Sequence, residues 1–478
     1  MNYKVVLHTL GWVLTFEAVG MLLPLICALV YREPCIMLFL ICIGICLMAG
    51  GILLALPVRK KEMYAKEGFA IVALSWIVIS VFGALPFFLS GYIPNFADAL
   101  FETASGFTTT GASILRDVEV LPKALIFWRS FTHWIGGMGV LVFLVAILPL
   151  SGGNNMYLIK AESPGPSVSK LVPKVKSTAK ILYGIYLFMT VLEIILLLIG
   201  KMPVFDAITL SFGTAGTGGF GIKNSSIADY SPYLQNVITV FMILFGIDFS
   251  LYYLILIGRF GLVFRSDEVK AYLGIILVSI ILICINCHDM FASLEETVRH
   301  SAFQVASIIT TTGYSTTDFD KWPEFSKTII LMLMFIGACA GSTGGGIKVS
   351  RIIIFLKSIG KEIKLAARPK SVHKITMNGR TVEHETVRGV NVYMMSYLAI
   401  FALSLLIISI DNRDFTTNFT AIAATLNNIG PGLAGVGPTQ NFADYSNLSK
   451  IVMTMDMWVG RLEIFPMLIL FSPYTWKK

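Results

Sequence analysis

Apolar residues run for about twenty positions at a time, over and over, along this chain. The runs lie near 6–31, 36–57, 69–91, 125–150, 181–200, 232–258, 270–288, 328–347, 388–410 and 448–472. A helix of that length rises ~30 Å, the thickness of a hydrocarbon core. The pattern therefore predicts ten membrane-crossing helices. The eighth run, 328–347, is interrupted by glycines and is treated separately below.

The polar stretches between the runs set the orientation. Arg59, Lys60, Lys61 and Lys66 follow the second run, and Lys160, Lys170, Lys174, Lys176 and Lys180 follow the fourth. Arg259, Arg265 and Lys270 follow the sixth. A long basic series from Lys348 to Lys374 follows the eighth, and Lys477 and Lys478 follow the tenth. Basic loops stay in the cytoplasm, so both termini are expected there, in a multi-pass protein of the cell (inner) membrane. Composition agrees: 55% of the 478 residues are hydrophobic and only 14% charged, with a mean hydropathy of +0.76. A soluble domain carries roughly 25% charge, so a cytosolic enzyme and a disordered chain are excluded. The net charge of +8 sits in short loops between spans, which argues against a nucleic-acid partner. Cys284 and Cys287 form a C-x-x-C at the end of an apolar run, without the context a zinc or redox site needs.

Four outward connections are too long and too apolar to be plain loops. Each holds a short semi-apolar segment followed by a glycine cluster: TTTGAS at 108–113, GTGG at 216–219, TTTGYS at 310–315 and NIGP at 428–431. They recur at intervals of roughly a hundred residues, each between two spans, as an internal repeat. The semi-apolar segments, of ten to twelve residues, are too short to cross and must dip in and return. Such backbone is tolerated where it lines a wet cavity. A dehydrated ion needs oxygens in place of water, and backbone carbonyls can supply them. Glycine permits the positive φ such a strand needs. The candidate ion-binding residues are Thr109, Thr110 and Gly111; Gly216, Thr217, Gly218 and Gly219; Thr311, Thr312 and Gly313; and Asn428, Ile429 and Gly430. Ions are expected at Thr109, Thr110, Thr217, Gly218, Thr311, Thr312, Asn428 and Ile429. In the second cluster the key glycine is Gly219 when counted from Asp98 and Asp206, but Gly218 when Thr-Gly pairs are matched. The fourth cluster replaces Thr-Thr with Asn-Ile, so the ring is not chemically four-fold.

This layout, with the two TTTG clusters and the segment FWRSFTHWIGGMG at 127–139, resembles the Trk/Ktr/HKT superfamily of potassium transport proteins. The two extra spans at 1–57 are similar to its TrkH subtype and unlike KtrB. The resemblance implies an all-α integral membrane protein, with four pseudo-symmetric repeats of helix, pore helix and helix around one pore. The expected division is 1–62 for the extra helices, then repeats at 63–165, 166–264, 265–385 and 386–478. It also implies K⁺ as the transported ion, a homodimer, and a cytosolic TrkA-like ring of nucleotide-binding RCK domains. No organic cofactor is expected on this chain. The filter glycine signature is shorter than TVGYG, so K⁺ over Na⁺ discrimination is expected to be weaker.

The eighth run contains GSTGGGIK at 341–348. Each helix-interior glycine costs about 1 kcal/mol relative to alanine, so the run should unwind. Either it packs closely through small residues, or it forms a movable loop under the filter, comprising Gly341, Ser342, Thr343, Gly344, Gly345, Gly346 and Lys348. The resemblance supports the loop and sets Arg461 beside it as a positive barrier; the alternative for Arg461 is a snorkelling end residue. A phosphate loop is rejected, because Ile347 separates the glycine from the lysine and no strand precedes it. Arg129 and His133, one helical turn apart, are candidates for the filter's outer wall; the alternative for His133 is a satisfied packing histidine. Glu193 and Asp248 read as interhelical hydrogen bonders or pathway carboxylates. The basic segment 348–388 suits lipid headgroups or the regulator. A carrier with alternating access would show inverted repeats and matched broken spans. Here the repeats share one orientation and one broken span is predicted. Coupling to H⁺ or Na⁺ stays open.

Overall fold

The computed structural model describes residues 1–57, 65–139 and 175–476. Arg59, Lys60, Lys61, Lys160, Lys170, Lys174, Lys477 and Lys478 lie outside the described residues, as does the fourth predicted span beyond Gly139. Among the described residues the regular structure is helical apart from one small hairpin, Thr376–Met377 paired with Arg380–Thr381. Two helical segments come first: Tyr3–Tyr31, with a slight break at Met21, and Ile36–Leu54. They meet where Gly11 and Gly50 bring their backbones together, each glycine lying against the other's carbonyl. Most of Ile36–Leu54 faces outward with apolar side chains such as Met37, Ile41, Met48 and Ile52, as a helix bathed in lipid must.

The same order of elements then occurs four times. The long first helices are Ala65–Gly83, Val175–Ile199, Asp267–Asn286 and His384–Ile408. The short helices that follow are Phe96–Phe107, Val204–Gly216, Leu294–Ile309 and Phe415–Leu426. Their starts are set by local chemistry. Asn95 accepts from the Ala97 N–H at 2.9 Å, Ser293 from Glu296 at 3.2 Å and Asp414 from Thr417 at 2.9 Å, satisfying donors a helix start leaves open. Asp98, Asp206 and Glu296 add negative charge to first turns, favourable at the positive end of the dipole.

The second helices correct the prediction. Lys123–Gly137, Pro232–Phe245, Glu324–Ile336 and Asn447–Arg461 all stop after 15, 14, 13 and 15 residues. A break was predicted only in the third repeat. Pro232–Phe245 turns by 92° into Phe249–Leu256, and Asn447–Arg461 stops at Glu463 and Ile464, both with positive φ. Among the described residues six helices are long and apolar enough to cross a membrane, and the bent pair makes seven. Matched breaks therefore exist, and the case against an alternating-access carrier rests on the shared orientation of the repeats.

Outside the ring, loops of adjacent repeats interlock. The Val118 N–H donates to Asn224 Oδ1 (2.9 Å), Ile227 N–H to the Ser315 carbonyl (3.0 Å), Ala434 N–H to Asp320 Oδ1 (3.0 Å) and Phe442 N–H to the Ser113 carbonyl (2.9 Å). Every neighbouring pair of repeats is tied at least once by this collar.

Candidate functional site

Each short helix ends in the same turn. Thr109, Thr217, Thr311 and Asn428 have φ of 56°, 54°, 60° and 55°. Two residues later Gly111, Gly219, Gly313 and Gly430 have φ of 79°, 73°, 87° and 97°. The matching conformations fix the register: Gly219 corresponds to Gly111, as counting from the two aspartates gives, and Gly218 corresponds to Thr110. Gly216 closes its helix one residue earlier.

The four glycines close a ring. A Cβ on Gly111 would lie within 3.0 Å of the Gly218 carbonyl, one on Gly219 of the Thr312 carbonyl, one on Gly313 of the Ile429 carbonyl, and one on Gly430 of the Thr110 carbonyl. The order runs through the repeats and returns to the first. Any side chain would collide with backbone, which cannot step aside. The short helices lead into this ring with their C-termini, the negative ends of their dipoles. Together these features offer a dehydrated cation carbonyl oxygens and partial negative charge.

Side chains brace the ring unevenly. In repeats 1 and 3 a threonine pair bonds to itself: Thr108 to Thr110 at 2.8 Å and Thr310 to Thr312 at 2.7 Å. In repeat 4 Asn428 Nδ2 donates to Thr110 Oγ1 and to the Met457 carbonyl, both at 2.9 Å, and so spans the closing joint. Arg129 and His133 stand where predicted, behind the strands. His133 Nδ1 lies 2.7 Å from the Gly106 carbonyl, and its Nε2 accepts from the Phe220 N–H at 3.2 Å. Arg129 donates to the Gly221 carbonyl at 2.9 Å and pairs with buried Glu102 at 2.6 Å. Sequence reading missed Glu102, although it lies within the first short helix, nine residues before Gly111 of the TTTG cluster.

Beneath the ring lies the glycine loop, from Gly337 to Lys348, between Glu324–Ile336 and Val349–Ala367. Gly337, Gly341, Gly346 and Lys348 all have positive φ, so the predicted unwinding is present and close helix packing is not the explanation. The loop seats on the bend of repeat 2: Cys339 N–H donates to the Gly246 carbonyl and Phe249 N–H to the Gly341 carbonyl, each at 3.0 Å. It touches the ring through Gly345 N–H, which donates to Thr311 Oγ1 at 2.6 Å. Lys348 Nζ donates to the Gly344 carbonyl of its own loop.

Arg461 is engaged with the protein interior and does not snorkel. It donates to the Thr343 carbonyl at 2.8 Å and to the Gly136 and Gly137 carbonyls at 2.6 and 2.9 Å. It thus holds the loop while capping the broken helix end of repeat 1, where a cation is favoured. Glu463 faces elsewhere and pairs with Arg351 of the following helix. Asp456 accepts from Ser404 at 2.8 Å. Asp248 caps Phe249–Leu256 through Ser250 and lies against Gly341; Glu193 is buried within its helix. Below the loop a cavity of about 1460 Å³ opens among the described residues, lined by Trp76, Gly346, Arg461, Arg265 and the hairpin at Asn378 and Arg380.

Comparison with known proteins gives one consistent answer. The family model described as TrkH, cation transport protein, matches residues 36–278 and 269–478. The Trk system potassium uptake protein TrkH of Salmonella typhimurium is 37% identical over 100% of both chains, and TrkG of Escherichia coli K12 is 33% identical over 100% of this chain and 99% of its own. The crystal structure of the potassium transporter TrkH from Vibrio parahaemolyticus superposes with a TM-score of 0.90 at 32% identity, covering 100% of each chain. The two extra helices, the four repeats with their glycine ring and this full-length similarity agree, and the chain belongs to the TrkH family of cation transport proteins.

Proposed function

We propose that this protein takes up K⁺ across the cell membrane through the glycine ring, acting as a selectivity filter, with the glycine loop as its gate. The observation that carries the reading is the closed ring: four left-handed glycines, each against the next repeat's carbonyl. K⁺ is coordinated by backbone oxygens of Thr109, Thr110, Thr217, Gly218, Thr311, Thr312, Asn428 and Ile429. Potassium uptake is what the named relatives do, and the wide cavity under the loop suits an ion's inner vestibule. Gly341–Gly346 and Lys348 obstruct the path and Arg461 adds positive charge beside it. The divisions 1–62, 63–165, 166–264, 265–385 and 386–478 describe two extra helices and four pore units. The basic loops support cytoplasmic termini and an inner-membrane location. A homodimer working with a nucleotide-binding TrkA-like ring follows from kinship with Trk systems.

The test is K⁺ and Na⁺ flux in liposomes, with and without a pH gradient. K⁺ flux exceeding Na⁺ flux under matched gradients is expected; equal fluxes would remove the filter assignment. Flux that follows the proton gradient would make the protein a symporter, and passive flux a gated channel.

A further inference from the structure

The glycine loop is held from one more side. Glu268 lies in the first turn of Asp267–Asn286, a helix already capped by Ser266, so its carboxylate is not needed there. It is 9% exposed and reaches across to the loop. One oxygen, Oε1, accepts the Ala340 N–H at 2.7 Å and the Ser350 N–H at 3.0 Å. These two donors bracket the glycine-rich stretch: Ala340 precedes Gly341, and Ser350 lies in the first turn of the helix that follows Lys348. A carboxylate between them is doubly favoured, by charge-assisted hydrogen bonds and by the positive end of that helix. The two bonds fix both ends of the stretch against the start of Asp267–Asn286.

The residue next to it is tied to the hairpin. Asp267 N–H donates to Asn378 Oδ1 at 2.7 Å and Asn378 N–H to Asp267 Oδ2 at 2.8 Å. Asn378 and Gly379 form the tight turn, with φ of 52° and 74°, as a two-residue hairpin requires. Lys357, from the helix after the loop, donates to the Thr376 carbonyl at 2.7 Å. The hairpin thus joins the helix carrying Glu268 to the helix carrying Ser350, at the rim of the cavity.

We infer that Glu268 is the latch of the glycine loop, a positioning residue that holds it shut, and that the hairpin at 376–381 is the handle through which the cytoplasmic segment releases it. The inference rests on the gate reading. Pulling the hairpin shifts the start of Asp267–Asn286 against Val349–Ala367 and separates Glu268 from its two donors. Neither Glu268 nor the hairpin bonds to the ring, so ion preference is expected to stay the same.

The test uses the full chain in liposomes, with Cys27, Cys35, Cys42, Cys46, Cys284 and Cys287 replaced by alanine. Buried Cys339, in the loop itself, then reports loop release through its labelling rate with a water-soluble maleimide. Glu268→Ala is expected to raise K⁺ flux and Cys339 labelling about tenfold each, equal to about 1.4 kcal/mol in the loop equilibrium. The K⁺/Na⁺ ratio should not change. Glu268→Gln keeps an acceptor oxygen and should restore most of the restraint; it also serves if the alanine variant does not accumulate. Asn378→Gly keeps the turn and its own N–H bond to Asp267 but loses the Oδ1 acceptor for the Asp267 N–H, and should give a smaller rise. A chain lacking residues 342–344 tests the gate reading separately. If that deletion raises flux while Glu268→Ala changes neither flux nor labelling, the latch is overturned and the gate stands. If the deletion leaves flux unchanged, the gate reading falls, and unchanged labelling in Glu268→Ala would then overturn the latch as well.

Discussion

The ring and the loop beneath it are both built from glycines with positive φ, yet side chains take a larger part in holding the loop. Around the ring, the obstacle at Gly111, Gly219, Gly313 and Gly430 is the backbone of another repeat. In the loop, Gly341 meets the Asp248 side chain and Gly346 meets Gly337 of the same loop. The loop's outside anchors include the side chains of Arg461, Glu268 and Thr311. Backbone packed against backbone is rigid, whereas the loop's backbone bonds to Gly246 and Phe249 and its side-chain anchors can be released one at a time. Glycine itself decides neither outcome; what decides is whether the neighbour can move.

The sharpest way to break that contrast is to add a methyl group in each region. Gly313→Ala carries left-handed strain of ~1–2 kcal/mol and overpacking of ~1–3 kcal/mol. K⁺ flux should therefore fall roughly 100-fold. Gly341→Ala, facing a side chain, should alter flux less and leave the K⁺/Na⁺ ratio intact; equal damage from both would erase the distinction. Next, Arg461→Ala cuts the tie from the loop's Thr343 carbonyl to the helix end of repeat 1 and should raise resting K⁺ uptake by roughly tenfold, the scale of one charged hydrogen bond. Dependence on the proposed cytosolic partner should fall with it. Unchanged transport with and without that partner would refute the assignment. A smaller effect is expected from Asn428→Thr, which removes the bonds to Thr110 and Met457. Here the readout is the K⁺/Na⁺ flux ratio, which should drop about threefold.

The smallest effect lies away from both regions. Asp414→Ala removes the cap of the fourth short helix and should cost about 1 kcal/mol, read as a lower melting temperature. Hydrogen bonds from Thr417 hold the Asp414 carboxyl below the ordinary aspartate value. Its contribution is therefore present above the usual aspartate range and lost as pH falls through the lowered value. A melting temperature that fell equally in wild type and variant on acidification would count against it.

Much of this was legible in the chain because it is written in repetition. The four glycine clusters recur in matched places, but the two ways of counting leave Gly218 and Gly219 both open until the backbone conformation decides for Gly219. The breaks in repeats 1, 2 and 4 were not legible. Gly136-Gly137, Gly246 and Gly460 sit in otherwise apolar runs, and Glu463 and Ile464 take positive φ without being glycine. Only in the third repeat are glycines dense enough to outweigh apolar neighbours. Glu268 was also invisible. A carboxylate in a first helical turn already has a local explanation, and its real partners lie more than seventy residues away.

The closing joint of the ring has a consequence for how such a protein is made. Asn428 and Thr110 are 318 residues apart, and Gly430 completes the circle against Thr110. Domains generally form as units in the order of synthesis, N-terminal first, so this joint must wait for the fourth repeat. A nascent chain halted before that repeat holds three strands and an open side. Ion passage is thereby tied to completion of the polypeptide, and an unfinished copy in the membrane carries no finished conduit.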